Sequence, residues 1–293
     1  MNSNYFKEYL ILKGLSNASV LGHLATLKRF NSWLESENIE TLQVSYTDLL
    51  AYVKTLQNNG VKQRTVQLYI NTLNHYFTFL QNEAQVIDSN PATNIKVKGI
   101  KRMHLYDLFT EDELTKIYQN YQSKGLTGER NKNILGLMVY QGLHSGELAA
   151  LTPTDLKLRE GKISVPGGRK SNARDLELKS FQIIDLQDYI YTTRNQILAQ
   201  TNKQSNQLFV STGTGNKLNN ALQKLMKTVQ KQNGRIKSGK QIRASVITNW
   251  LKQYNLRKAQ YMAGHRYVSS TEKYQIGNLE DLQSDIEKYH PVG

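Results

Sequence analysis

The sequence predicts a mainly α-helical protein of two domains, and three observations carry that prediction. Apolar residues recur at three- and four-residue steps through most of the 293 residues, the spacing of a helix with one buried face. Only four prolines interrupt the pattern, and strand-like alternation is confined to one hairpin. The length suffices for two separate cores.

Taken in order, residues 4–13 and 16–36 read as helices. In the second, Val20, Leu24, Leu27, Phe30 and Leu34 form one apolar stripe, with Ser16 as N-cap after Gly14. Ser45 or Thr47 caps a third helix through Leu49, Leu50, Val53 and Leu56, which stops at Asn58-Asn59-Gly60. A fourth turns Val66, Ile70, Leu73, Phe77 and Leu80 inward. These four helices make an N-terminal domain over 1–86. Residues 87–105 are polar, basic and broken by Pro91, and read as a linker.

The second domain spans 106–293. Thr110-Glu111-Asp112-Glu113 opens it with an N-cap and acids placed to favour the helix dipole. An apolar helix follows over 129–142, then a short one holding Glu147, Leu148 and Leu151. The segments 162–165 (KISV) and 174–178 (RDLEL) read as two strands of a hairpin joined by PGGRKSNA. Helices over about 183–200 and 217–232 lead to residues 240–274. A final amphipathic helix, 278–290, has Leu279, Leu282 and Ile286 on its apolar edge.

Charge names the partner. The formal net charge is +14 and the pI near 9.6, so an acidic polymer, first of all DNA or RNA, is expected. Residues 1–100 carry nine Lys/Arg against seven Asp/Glu, a net of +2, whereas the remainder carries 29 against 17, a net of +12. The second domain should therefore hold phosphates most strongly. Four short helices around an apolar core suit a DNA clamp and equally any helical bundle. Lys62 and Arg64 at the start of the fourth helix, and Lys96, Lys98, Lys101 and Arg102 in the linker, are expected phosphate contacts. The absence of cysteine removes disulfides, thiolate zinc sites and cysteine nucleophiles together. No metal cluster is spelled out. No apolar run approaches the roughly 18 residues of a spanning helix, and no secretory signal opens the chain. A cytoplasmic, nucleoid-associated protein is expected.

The chemistry concentrates in KQIRASVITNWLKQYNLRKAQYMAGHRYVSSTEKY, residues 240–274. Lys240 and Arg243 are three apart, Gly264-His265 follows, and Tyr274 lies nine residues beyond the histidine. Phosphodiester transfer through a tyrosine needs such a set. Arginine and histidine bind the non-bridging phosphate oxygens while the tyrosine oxygen attacks phosphorus. Arginine suits this because its planar fork matches phosphate oxygens and stays charged. Upstream, the hairpin loop GGRKSNA offers Lys170 and Arg169, and GLHSGEL contains His144 and Glu147.

This constellation resembles the tyrosine recombinase (phage integrase, Xer/Cre-like) family over essentially the whole chain, with its specific motifs in 142–178 and 240–274. The resemblance implies an N-terminal SAM-like core-binding domain and a mixed α/β, mostly helical catalytic domain. It implies a site-specific recombinase, an integrase or transposase of a mobile element, that cuts DNA by forming a 3′-phosphotyrosyl bond to Tyr274. Arg243 would bind the scissile phosphate. Lys240 stands where most members have histidine and remains a cationic donor. His265 would hydrogen-bond the phosphate and orient the nucleophile. The hairpin lysine, Lys170 with a register uncertain by one against Arg169, would protonate the leaving 5′-oxygen. No metal or other cofactor is needed.

His144 departs from the pattern. In GLHSGEL the residues Gly142, Leu143, Gly146, Glu147 and Leu148 fit the family's G-L-R-x-S/G-E-L, and histidine takes the place of the first catalytic arginine. A neutral imidazole offers one donor where arginine offers two. Losing one such donor costs about 100- to 1,000-fold in rate, so slowed cleavage is expected. Glu147 is expected to orient neighbouring groups or cap backbone donors. The resemblance further implies a dimer on each double-stranded DNA site and a tetramer in the synapse, joined through the 278–290 tail. The alternatives are a non-catalytic DNA-binding relative and a type IB topoisomerase-like enzyme.

Overall fold

A computed structural model describes residues 3–99, 107–168, 171–213, 215 and 218–275. The expectations for Lys101, Arg102, Arg169, Lys170 and the 278–290 tail fall outside the described residues. The chain divides into two compact units, Met1–Met103 and His104–Gly293.

The first unit contains four helices, α1 (Ser3–Leu12), α2 (Asn17–Glu37), α3 (Tyr46–Asn58) and α4 (Gln63–Asn82). Local chemistry marks their ends. The Ser16 hydroxyl accepts the Ser19 amide, and α2 stops at Asn38, which takes the left-handed conformation at φ 55° that asparagine tolerates. Ser45, rather than Thr47, caps α3, and the Asp48 carboxylate accepts the Ser45 amide in return. The predicted stripes face a shared core in which Phe30 meets Tyr52 edge-on at 5.0 Å and Phe6 meets Tyr76 at 5.1 Å. Part of the segment read as a linker joins this core. Ala92 and Ile95 are buried in it, and Gln67 accepts the Val97 amide at 3.1 Å.

The second unit is mixed and mostly helical. Helix α5 (Glu111–Gln119) begins with a capping box between Thr110 and Glu113. Helix α6 (Gly125–Tyr140) runs through the core, burying Ile134, Leu135 and Leu137. It starts a turn earlier than its apolar run and ends before Gly142, whose φ of 61° breaks the helix. Helix α7 (Ser145–Ala150) follows at once. The hairpin of β2 (Lys162–Val165) and β3 (Arg174–Glu177) is antiparallel, with Ile163 opposite Leu176. A further strand, β1 (Leu156–Lys157), pairs with β2; two residues are too few to show a period. The helix expected over 183–200 is α8 (Ser180–Asp188) and α9 (Arg194–Thr201), joined by a π-helical turn at Tyr189–Thr193. That wider turn lets Tyr189 donate to the Leu208 carbonyl at 3.1 Å and Thr193 to Glu129. Helix α10 (Asn219–Gln232) precedes α11 (Gly239–Gln253) and α12 (Leu256–Ala263). The chain is helical again over residues 269–275, where the described residues end. None of the described helices is long and apolar enough to cross a membrane.

Candidate active site

Glu147 lies at the centre of the cluster. Its side chain is 4% exposed and receives two guanidinium groups, Arg174 Nη1 at 2.8 Å on Oε1 and Arg243 Nη1 at 2.9 Å on Oε2. The His144 amide also donates to Oε2, at 3.0 Å. Burial alone would raise this carboxyl, but the Arg174 hydrogen bond and both arginine charges outweigh it and hold it below the usual carboxylate range. Glu147 is therefore an anion that fixes two cations.

Those cations in turn hold the end of α12. Arg174 Nε donates to the Met262 carbonyl at 2.7 Å, and Arg243 Nη2 to the Ala263 carbonyl at 2.6 Å. Arg243 Nη1 also reaches the Gly142 carbonyl at 2.7 Å. Among the described residues, three of the five N–H donors of Arg243 are thus committed. The Nε–H and one Nη2–H have no partner among the described residues, an edge suited to two oxygens of one phosphate.

Helix α12 ends in a tight reversal. Gly264, at φ 68°, is left-handed, the Gly264 amide bonds back to Tyr261, and the His265 amide bonds to Gln260. His265 thus sits in the turn after a helix. Glycine is required for a second reason: a Cβ on Gly264 would run into the Arg174 guanidinium. The returning arm of the hairpin docks on the same turn, with the Asn172 amide donating to the Gly264 carbonyl at 2.9 Å and Ser171 bridging His265.

The His265 ring lies parallel to the Tyr274 ring, with centroids 5.9 Å apart and planes 10° from parallel, and its Nδ1 is 2.9 Å from Thr271 Oγ1. Burial, then the charges of Arg243 and Arg174, push the His265 pKa down to about 4, so the ring is neutral at ordinary pH. Tyr274 is half-buried. Burial raises its phenol, and the Arg243 charge opposes this.

His144 has a local task. Its Nδ1 accepts the amides of Gly146 at 3.0 Å and Glu147 at 3.2 Å, so the imidazole caps α7. Burial, assisted by Arg243 and Arg174 against Glu147, lowers its pKa and keeps it neutral. The 3.7 Å approach of Nε2 to Glu147 is therefore a dipolar contact and not an ion pair. With Nδ1 accepting, the proton resides on Nε2, leaving one donor on a side chain that is 47% exposed.

Of the residues singled out in the sequence, His144, Glu147, Arg243, His265 and Tyr274 converge here. Lys240 is exposed in the first turn of α11, one turn before Arg243. In the first unit Lys62, Arg64, Lys96 and Lys98 are all exposed. Sequence reasoning missed Arg174, whose side chain is 0% exposed. The signal was present: in RDLEL an arginine occupies the same inward register as Leu176. It missed Thr271 altogether. No group of three metal-binding side chains occurs among the described residues.

Comparison with known proteins identifies the family of both units. Residues 107–278 match the phage integrase family, and residues 3–84 match the phage integrase N-terminal SAM-like domain. The tyrosine recombinase XerC of Oceanobacillus iheyensis is 26% identical over 98% of this chain and 94% of its own length. Among solved structures, the XerH site-specific recombinase bound to a palindromic difH substrate aligns over 97% of this chain and 84% of its own, with a TM-score of 0.73 and 17% identity. The Tn1549 transposon integrase in complex with transposon right end DNA aligns over 98% of both chains, with a TM-score of 0.69 and 15% identity.

Proposed function

The chain belongs to the phage integrase family, and from that membership we propose that it is a site-specific DNA recombinase that cleaves and rejoins duplex DNA through a 3′-phosphotyrosyl link to Tyr274. The observation that carries this reading is the convergence of Arg243, His265 and Tyr274 around one buried carboxylate, with the free edge of Arg243 unspent.

In the reaction the Tyr274 oxygen bonds to phosphorus as the bond to the 5′-oxygen breaks. The phenol gives up its proton to solvent and the leaving oxygen gains one, a task assigned to Lys170 in the hairpin. Arg243 and the His265 Nε2 face the non-bridging oxygens, where charge grows in the transition state. Lys240, on the helix that carries Arg243, adds a cation beside them. The phosphotyrosyl bond keeps the energy of the phosphodiester, so a 5′-hydroxyl from a partner strand reverses the step without a nucleotide or metal. Two protomers act on each site and four in the synapse, with the 278–290 tail as the contact between copies. Lys62, Arg64, Lys96, Lys98, Lys101, Arg102 and Arg169 grip the DNA backbone. The recombined DNA is read as that of a mobile element, and footprinting on sequences flanking the gene tests this.

His144 slows this chemistry. It brings one donor where the family pattern has an arginine fork, and its other nitrogen is committed to α7. Incubation with a nicked suicide substrate tests the whole reading. The wild-type protein should accumulate a covalent protein–DNA complex, and Tyr274→Phe should form none. A wild-type protein that binds the site but never becomes covalently attached would instead be a DNA-binding relative without turnover.

A further inference from the structure

We propose that Thr271 is a positioning residue that locks the His265 imidazole in the neutral form carrying its proton on Nε2. The inference rests on the phosphodiester chemistry proposed above only for its consequence, since the proton location follows from the protein alone.

Thr271 is completely buried. Its hydroxyl has one hydrogen to place, and burying a donor without an acceptor is costly. Among the described residues its one side-chain partner is His265 Nδ1, 2.9 Å away. If Nδ1 carried the proton, the hydroxyl would accept that bond and its own hydrogen would be stranded. If the hydroxyl donates to Nδ1, every hydrogen is used and the ring proton resides on Nε2. An unmade bond of a buried hydroxyl favours the second arrangement by on the order of 10-fold or more.

Other helical threonines of the chain show why Thr271 is different. The hydroxyls of Thr26, Thr55, Thr72 and Thr228 each donate to the carbonyl four residues earlier in their helix. Thr271 lies in the first turn of its helix, where the Val268 carbonyl accepts the Thr271 and Glu272 amides and the Tyr267 carbonyl accepts the Ser270 amide, and its hydroxyl meets the histidine instead. Thr72 supplies an internal contrast. It too touches a histidine, His23 Nδ1 at 2.8 Å, but its hydrogen already goes to Leu68. There the ring must donate, so His23 carries its proton on Nδ1. The same pair of residue types thus has opposite polarity in the two units.

The consequence for the reaction is a division of labour. With Nδ1 occupied by Thr271, Nε2–H is a ready donor to a non-bridging phosphate oxygen, and the ring has no lone pair free to take the Tyr274 proton. Thr271 also ties the helix bearing the nucleophile, three residues before Tyr274, to the histidine.

The test is two-bond proton–nitrogen correlation on histidine-labelled full-length protein near neutral pH, with His265 assigned by loss of its signals in His265→Gln. The wild-type protein should show His265 protonated on Nε2 and His23 on Nδ1. Thr271→Val should turn His265 into a mixture of the two forms and lower suicide-substrate cleavage about 10-fold, while Thr271→Ser, which keeps the hydroxyl, should restore both. A wild-type His265 protonated on Nδ1 overturns the proposal, as does a folded Thr271→Val protein with the wild-type proton location. If Thr271→Val does not fold, the wild-type and Thr271→Ser spectra decide. A correct proton location in a protein that never forms a covalent DNA complex would refute the recombinase reading and leave the assignment of Thr271 standing.

Discussion

Replacing Glu147 by glutamine keeps the shape of the side chain and removes its charge. The charge is what Arg174 and Arg243 are folded around: their side chains are 0% and 12% exposed, and both reach the carboxylate within 2.9 Å. Glutamine can satisfy one of them through its oxygen, but its amide nitrogen then faces a donor of the other. Breaking a buried ion pair in this way costs about 3–5 kcal/mol. At ~2–4 °C per kcal/mol for a domain of 150–250 residues, the melting point of the second unit should fall by roughly 6–20 °C. The pH dependence supplies a second check. Because the folded carboxyl lies below its ordinary value of 4.5, its contribution is present above that value and lost as pH falls through the lower folded pKa. Calorimetry of both proteins should show a large gap near pH 7 that narrows as the buffer is taken below about pH 4. A gap under about 2 °C at neutral pH, or one that stays constant into acid, would refute the view of Glu147 as a paired anion.

Two further outcomes follow from the same cluster. His144→Arg exchanges a cap for a donor fork: arginine cannot accept the Gly146 and Glu147 amides, so stability should drop by about 1 kcal/mol, while cleavage of the suicide substrate should rise by about 100-fold or more; unchanged cleavage refutes the claim that His144 limits the reaction. For His265, the folded pKa of about 4 lies below the ordinary 6.5, so the unfolded chain binds more protons between those values. Its contribution to stability is complete above about pH 6.5 and lost as pH falls toward 4. An NMR titration should find no protonation of His265 from about pH 8 down to 5, and an inflection near 6.5 would contradict the burial that the structure assigns to it.

Much of this protein was legible before any tertiary contact was known. Helix faces such as Val66, Ile70, Leu73, Phe77 and Leu80 are written in the spacing, because a helix with one buried side repeats at 3.6 residues. Caps such as Ser16, Ser45 and Thr110 are local hydrogen bonds between near neighbours, so they too can be read along the chain. The residues Arg243, His265 and Tyr274 could be singled out because their types and offsets fit one proposed chemistry, and the fold brings them together. What only the tertiary structure decided are the pairings between distant residues. Arg174 and Glu147 are 27 positions apart, Arg243 and Glu147 are 96 apart, and no local period encodes which buried charge meets which. The same holds for protons. Whether His144 donates or caps, and on which nitrogen His265 holds its hydrogen, depends on the acceptors that folding places beside each ring. The sequence by itself pointed to the groups proposed for phosphodiester chemistry; the fold decided how many of their donors remain free for it.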